Sequence, residues 1–217
     1  GDATVRATRL SEEIIVDGVL DEQLYEVVPA ITGFIQQFPD EGAPASQKTE
    51  AWIAFNGQNL YVAARLWNTL PRDQWVANEM RRDSFQILQN DNFSVTLDTF
   101  YDRRNAAGFV INPLGGFFDF AITNEGNPNS DWNPVWDVRT GRFEGGWTIE
   151  IEIPFRSLRF RPGPDQIWGI QFRRGVGATG ERAFLTPLPI SLGRASMFRV
   201  SESGTLVGLE VPDGSRN

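Results

Sequence analysis

The feature that most constrains the fold is a series of segments between positions 91 and 174 in which apolar and polar residues alternate. In the clearest segment, residues 146–155, four apolar side chains alternate with three polar ones: Trp147, Ile149, Ile151 and Ile153 against Thr148, Glu150 and Glu152. Successive side chains of a β-strand point to opposite faces, so this pattern predicts a strand with one buried face. Glu150 and Glu152 are expected on its solvent face.

Two neighbouring segments show the same alternation, at residues 93–98 and 168–173, and Gly, Pro and Asn separate the segments. Several short strands spaced by turn residues are typical of an all-β sandwich or barrel. We therefore predict an antiparallel β-sandwich, jelly-roll-like, of two packed sheets with one or two short helices. Residues 1–211 are expected to form a single domain, because all-β units of this length are common.

The turn signals divide the chain into predicted elements. Asp21 is placed to cap a short helix that Pro29 ends. Pro71–Asn90 is a long irregular connection, the kind of segment on which binding residues often lie. The predicted strands cover residues 5–10, 14–16, 33–38, 49–55, 60–67, 92–100, 107–112, 117–123, 135–139, 147–153 and 166–173.

The chain contains no histidine and no cysteine, which excludes several kinds of chemistry. Ser-His-Asp and Cys-His catalysis and zinc sites of imidazole and thiolate cannot be built. Haem would have to be held by Met80, Met197 or a tyrosine, so neither haem nor zinc is expected. The net charge of −8 and the scattered arginines also argue against a nucleic-acid partner.

Several motifs, taken in order, resemble a known family. They are residues 15–22 (IVDGVLDE), 90–98 (NDNFSVTLD), 112–115 (NPLG), 131–133 (DWN), 146–160 (GWTIEIEIPFRSLRF) and 203–209 (SGTLVGL). Together they resemble the family 9 carbohydrate-binding-module-like domain found at the N-terminus of a group of bacterial outer-membrane β-barrel proteins. The resemblance covers roughly residues 13–212.

The resemblance implies a non-catalytic carbohydrate-binding or accessory domain in the bacterial cell envelope, associated with the outer membrane. Its implied partners are a glycan and a C-terminal barrel of the same polypeptide, and the polar residues 212–217 are then a linker stub. Sugar-binding members pinch their ligand between two tryptophans, but Leu88 or Gln89 stands at the first of these positions, and no tryptophan follows Trp168. The alternative is a structural or protein-interaction domain that docks on its barrel or a partner without binding sugar.

Candidate ligand residues are aromatic side chains beside polar ones, because sugars stack their C–H faces on rings and direct hydroxyls to polar partners. The alternative for each tryptophan is a place in the core. The predicted ligand-binding set is Trp132, Trp136, Trp75, Arg82, Asp83 and Asn133.

A second set consists of aspartates. Carboxylates are the hard oxygen ligands that calcium takes, so this set predicts a structural calcium that braces the loops. Solvated carboxylates at strand ends are the alternative. The predicted calcium ligands are Asp91, Asp98, Asp119 and Asp131.

Two further predictions concern charged residues in and after the strand at 147–153. The spacing of Glu150 and Glu152, about 7 Å by strand rise, suits a glycosidase pair, but the sequence shows no sign of a cleft, so we do not expect an enzyme. Arg156 or Arg159 is expected to pair with a buried carboxylate.

Overall fold

The alternating strands build a sandwich of two sheets in the computed structural model, which describes residues 3–211. The predicted linker, residues 212–217, lies outside the described residues. Thirteen strands and one α-helix form within the described part of the chain, in this order: β1 Thr4–Arg6, β2 Thr8–Arg9, α1 Leu24–Val27, β3 Ile35–Phe38, β4 Thr49–Phe55, β5 Asn59–Trp67, β6 Asn92–Asp98, β7 Ala106–Ile111, β8 Phe117–Ile122, β9 Asp137–Phe143, β10 Gly146–Pro154, β11 Asp165–Val176, β12 Glu181–Phe184 and β13 Gly204–Glu210.

The larger sheet has the order β1-β13-β11-β6-β7-β8, and β12 and β3 extend it beside β11. The smaller sheet has the order β2-β4-β5-β10-β9. Neighbours are antiparallel apart from the short edge pairs β1–β13 and β2–β4, which are parallel. Short 3₁₀ segments interrupt the connections, at Arg72–Gln74, Phe85–Gln89, Phe155–Ser157, Ile190–Phe198 and Val200–Glu202. The predicted all-β class with two packed sheets and few helices is confirmed.

The core between the sheets consists of the apolar residues that the alternation placed on one face. Trp147 and Trp168 are its largest fully buried side chains, and Ile149, Ile151 and Phe172 pack in the same cluster. Gly146 lets β10 and β5 approach closely, since a Cβ there would lie 1.9 Å from the carbonyl oxygen of Leu66. Removing such large apolar surfaces from water is the main force that holds the two sheets together.

The outer faces of both sheets are also covered, which corrects the expectation of solvent faces. On the smaller sheet, α1 and the residues before it form a second apolar cluster over β4 and β5, with Tyr25 edge-on to Trp52 at 5.2 Å between ring centroids. On the larger sheet, the 3₁₀ segments cover Phe118, Phe120 and Phe184. Glu150 is therefore 1% exposed, where the sequence pattern predicts a solvated carboxylate.

Most predicted strands are found within a few residues of their expected ends, but three local predictions are wrong. The strand at residues 5–10 is divided into β1 and β2, which join different sheets. Residues 14–16 form no strand, since Ile14 packs instead in the cluster over β4 and β5. Helix α1 begins after Gln23 with no side-chain cap, so Asp21 does not cap it. Strands β12 and β13 were not predicted.

Within residues 3–211, no helix is both long enough and apolar enough to span a membrane.

Candidate functional site

The predicted tryptophans Trp132 and Trp136 lie where the chain passes from one sheet to the other. β8 is the last strand of the larger sheet and β9 the last of the smaller one, so residues 123–136 cross the open edge of the sandwich. This connection places both indoles against Phe109 of β7, at centroid distances of 5.8 Å for Trp132 and 4.8 Å for Trp136. Both side chains are half-buried.

Trp136 closes this edge of the core. Its ring meets Phe109 and Phe117 edge-to-face, the second at 4.7 Å, and its Nε1–H donates to Asp119 Oδ2 at 2.8 Å. Edge-to-face pairs are favourable beyond the area that they bury, and a buried indole N–H needs an acceptor. Trp136 therefore has the contacts of a core residue, which is the alternative that the sequence left open for each tryptophan.

A polar network surrounds the Asp119 carboxylate, and we call it the edge network: Arg82, Asp83, Asp119, Asn133 and Trp136. The Arg82 guanidinium lies 3.4 Å from Asp119 and 3.3 Å from Asp83, and it donates to the side-chain oxygen of Asn133. Burial raises the pKa of Asp119, while the Trp136 N–H and the Arg82 charge counteract that rise. The fold thus brings four of the six predicted ligand residues together around one carboxylate.

Trp132 faces a cleft of about 670 Å³, here called the Trp132 cleft. Its size lies in the range of small-molecule sites, about 300–1,000 Å³. The cleft combines aromatic and polar groups. Phe100 is 37% exposed, the Asn105 amide keeps one N–H beyond the one that it donates to Asp102, and the Ser157 hydroxyl, which donates to the Val135 carbonyl, can still accept. Arg156 and Arg159 complete the lining; both are exposed, and neither makes an ion pair among the described residues, contrary to the expected buried carboxylate partner. Sequence reasoning missed Phe100 and Asn105 as candidate binding residues, although an aromatic residue at a strand end was a usable signal.

Trp75 is not part of this arrangement. Its Nε1–H donates to the Leu70 carbonyl at 2.9 Å, and Arg72 and Arg142 lie over its ring at 4.9 and 5.8 Å. Arg142 is near the end of β9, whereas Trp136 precedes the beginning of β9, a separation of about 20 Å by strand rise. The structure therefore separates Trp75 from the other predicted ligand residues.

The four predicted calcium ligands lie apart, and each has its own environment. Asp91 accepts from the backbone N–H groups of Val76 and Gly177, and Asp98 accepts from those of Asp102 and Arg103. Asp119 belongs to the edge network, and Asp131 is exposed. Among the described residues no three acidic side chains gather as a metal site would require. Calcium binding stays a prediction, and these four residues do not form one site.

Glu150 is a buried carboxylate with a partner for each oxygen. Its Oε1 accepts from the N–H groups of Asp17 and Gly18, at 3.1 and 2.9 Å, and its Oε2 accepts from the Tyr25 hydroxyl at 2.8 Å. Burial raises its pKa to about 7. These contacts anchor the segment that covers the smaller sheet, so the carboxylate has a structural function.

Leu88 and Gln89, which stand where the resemblance implies a tryptophan, line a second concavity of about 370 Å³. Phe85 is the aromatic residue of its lining, and Arg173, Arg182 and Arg194 also line it. No tryptophan is among the lining residues that the structure describes. A tryptophan clamp is therefore absent from this position.

The fold defined by these sheets is that of family 9 carbohydrate-binding modules. A module of this family from Caldicellulosiruptor kristjanssonii, solved with glucose, superposes with a TM-score of 0.65 at 15% identity, covering 99% of this chain and 98% of that one. The same kind of module solved with cellotriose gives 0.64 at 14% identity, covering 99% and 96%. A proposed carbohydrate-binding protein from Bacteroides uniformis gives 0.71 at 10% identity, covering 97% and 100%.

These similarities cover nearly the whole chain, but the sequences have diverged far. No protein-family model matches the sequence, and no curated protein matches it. Identities of 10–15% establish the shared fold and leave the ligand to be argued from this chain's own residues.

Proposed function

We propose that this protein is a non-catalytic carbohydrate-binding domain that holds a glycan in the Trp132 cleft. The observation that supports this most directly is the combination of Trp132 and Phe100 with amide, hydroxyl and guanidinium groups in one open cleft. Aromatic faces can stack on the C–H face of a sugar ring while Asn105, Ser157 and Arg156 bond its hydroxyls. Modules of the same fold were solved with glucose and cellotriose, which supports a saccharide ligand.

The setting proposed for this domain is the bacterial cell envelope, attached to an outer-membrane barrel of the same polypeptide. The order of the motifs between residues 13 and 212 supports this setting. In that position the domain would hold a glycan near the mouth of the barrel, with calcium as a loop brace. Fractionation of the native cells with an antibody against this domain tests the location, and recovery in the cytosol would contradict it.

Truncation of Trp132 tests the proposed glycan site. We expect the protein to bind one or more saccharides on a broad glycan array, and Trp132→Ala or Phe100→Ala to weaken that binding at least about tenfold. Aromatic anchors of binding sites typically contribute more than about 1.4 kcal/mol, which corresponds to that factor. Isothermal titration calorimetry with the strongest array ligand, in calcium and in chelator, measures the change.

Trp75→Ala is the matched control, because Trp75 is a half-buried tryptophan outside the cleft. Thermal unfolding of each variant shows whether it is folded at the temperature of the titration. Equal affinity in wild type and both cleft variants would place the site elsewhere. No binding to any saccharide would favour the alternative, a structural or protein-interaction domain.

A further inference from the structure

Three arginines line the concavity of about 370 Å³ that also contains Leu88 and Gln89; we call it the arginine pocket. Arg173 comes from β11, Arg182 from β12, and Arg194 from the 3₁₀ segment Ile190–Phe198. The pocket is near the beginning of β6, since Arg173 pairs with Ser94, whereas the Trp132 cleft is at the end of that strand. The two sites are therefore separated by roughly the length of the strand, about 20 Å.

Arg173 is a buried cation with incomplete bonding. Arg173 is only 5% exposed. Its Nη1 donates to Asn92 Oδ1 at 2.6 Å, and its Nε has no hydrogen-bond partner among the described residues. Buried arginines are normally paired, because an unpaired buried charge is costly. Burial lowers the pKa of Arg173 to about 10, and the charge of Arg182 adds to this.

The other two arginines add positive charge without a carboxylate to neutralise it. Arg182 donates from Nε to the Gln37 side chain at 3.0 Å and lies over the Phe38 ring, and Arg194 is exposed. The charge of Arg194 lowers the pKa of Arg182, after the effect of burial. None of the three arginines makes an ion pair among residues 3–211. Arg182 thus destabilises the charged form of Arg173, and Arg194 that of Arg182.

The one carboxylate in the lining, Glu181, is engaged elsewhere. Its Oε2 accepts from the Ser46 N–H at 3.1 Å, and its charge acts on Arg174 on the inner side of the sheet. The pocket therefore concentrates positive charge in a protein whose net charge is −8. Such a local potential attracts an anion, and a guanidinium binds a carboxylate through two parallel hydrogen bonds.

We propose that the arginine pocket binds the carboxylate of an acidic sugar, so that the glycan recognised by this protein contains uronate residues. The carboxylate offsets one of the three positive charges of the pocket and stabilises the buried guanidinium of Arg173 through its charge, since Nε itself is buried. Phe85, which is 42% exposed, and Leu88 supply an apolar surface for the C–H face of the ring, and Gln89 supplies an amide for its hydroxyls. This inference rests on the proposed function only because both require a sugar ligand, which here carries the carboxylate.

Calorimetry with trigalacturonate and its fully methyl-esterified counterpart tests the inference, because esterification removes the negative charge of each carboxyl group and adds only a methyl group to it. We expect the acid to bind at least tenfold more tightly than the ester, and its affinity to fall as sodium chloride is raised. Arg194→Gln and Arg182→Gln should each weaken acid binding at least tenfold. Arg161→Gln, an exposed arginine outside the pocket with the same loss of charge, should leave affinity within twofold.

Two further measurements separate the alternatives. In ¹⁵N spectra the Arg173 Nε–H resonance should shift when trigalacturonate is added, and Trp132→Ala should not prevent that shift. Sodium sulfate that binds as tightly as trigalacturonate would reduce the pocket to a general anion site and overturn the uronate assignment. Equal binding of acid and ester, or no binding of either, would also overturn it. Neither result would affect the proposed function, which loss of neutral-glycan binding in Trp132→Ala would still support.

Discussion

Glu150→Ala is expected to lower the free energy of unfolding by about 2–6 kcal/mol, since it removes the acceptor of two buried hydrogen bonds and one part-buried one, and each buried unpaired donor costs about 1–3 kcal/mol. The donors are the N–H groups of Asp17 and Gly18 and the hydroxyl of Tyr25. The segment that covers β4 and β5 would lose its attachment to β10. Urea unfolding followed by tryptophan fluorescence measures the loss, because Trp52 lies under this segment.

The same carboxylate is expected to make the stability of the protein depend on pH. Burial raises the pKa of Glu150 to about 7, while in the unfolded chain it titrates near its ordinary value. Between about pH 4.5 and 7 the folded protein therefore keeps a proton that the unfolded chain has released. The stabilisation is complete at low pH and is lost as the pH rises through 7, by about 3 kcal/mol for a shift of this size.

Glu150→Gln isolates this effect from the other titrating groups. The difference in unfolding free energy between wild type and Glu150→Gln should change by about 3 kcal/mol between about pH 4.5 and 8, with wild type losing stability toward high pH. Glu152→Gln, two residues along the same face of β10, is the matched control and should follow the wild-type profile. A constant difference between wild type and Glu150→Gln would show that folding does not change the pKa of Glu150.

The sequence predicted the strands of the inner core well, because one physical signal controls them. Trp147, Ile149 and Ile151 must share a face whatever the rest of the chain does, and β4 was predicted with the same ends that the structure shows. The outer faces could not be predicted in this way. They are covered by segments without periodicity, such as α1 and residue Ile14, whose positions depend on tertiary contacts.

In β8, the segments that cover the outer face of the sheet make a prediction from alternation wrong. Phe118 and Phe120 form its apolar face, which alternation alone assigns to the main core, yet they pack in the outer cluster beneath the 3₁₀ segments. Asp119 consequently points toward the edge between the sheets, where it meets Trp136. The residue type of Asp119 predicts a calcium ligand. Asp119 is instead the centre of the edge network because Phe118 and Phe120 face the outer cluster, which turns Asp119 to the opposite face of β8.

Part of the candidate site could be predicted because its residues are of conspicuous types. Trp132, Arg82 and Asn133 are aromatic and polar residues in irregular segments, which is why the sequence predicts them, and the fold brings them to one edge. The arginine pocket was not predicted, since Arg173 has the position of a solvent-facing residue in an alternating strand. Its burial results from the 3₁₀ segments packed above it, and no local pattern reports that packing.

Trp136→Ala is expected to destabilise the protein by about 3 kcal/mol, near the lower end for tryptophan truncation because the side chain is half-buried. The substitution opens the edge of the core beside Phe109 and Phe117 and removes a donor from the buried Asp119. Trp136→Phe keeps most of the ring packing, so it should cost mainly the lost hydrogen bond, about 1–2 kcal/mol. Chemical denaturation of both variants at one pH measures the two costs.

The pair of variants also distinguishes a plug from a ligand contact. If Trp136 fills the edge and Trp132 faces the sugar, Trp136→Phe should retain wild-type glycan affinity in the folded protein, whereas Trp132→Ala should lose affinity with a smaller change in stability. Trp136 then positions the cleft mainly by the packing of its ring against Phe109 and Phe117, which phenylalanine largely keeps. A Trp136→Phe variant that is as stable as wild type but at least tenfold weaker in glycan binding would contradict this division and make Trp136 a direct ligand residue.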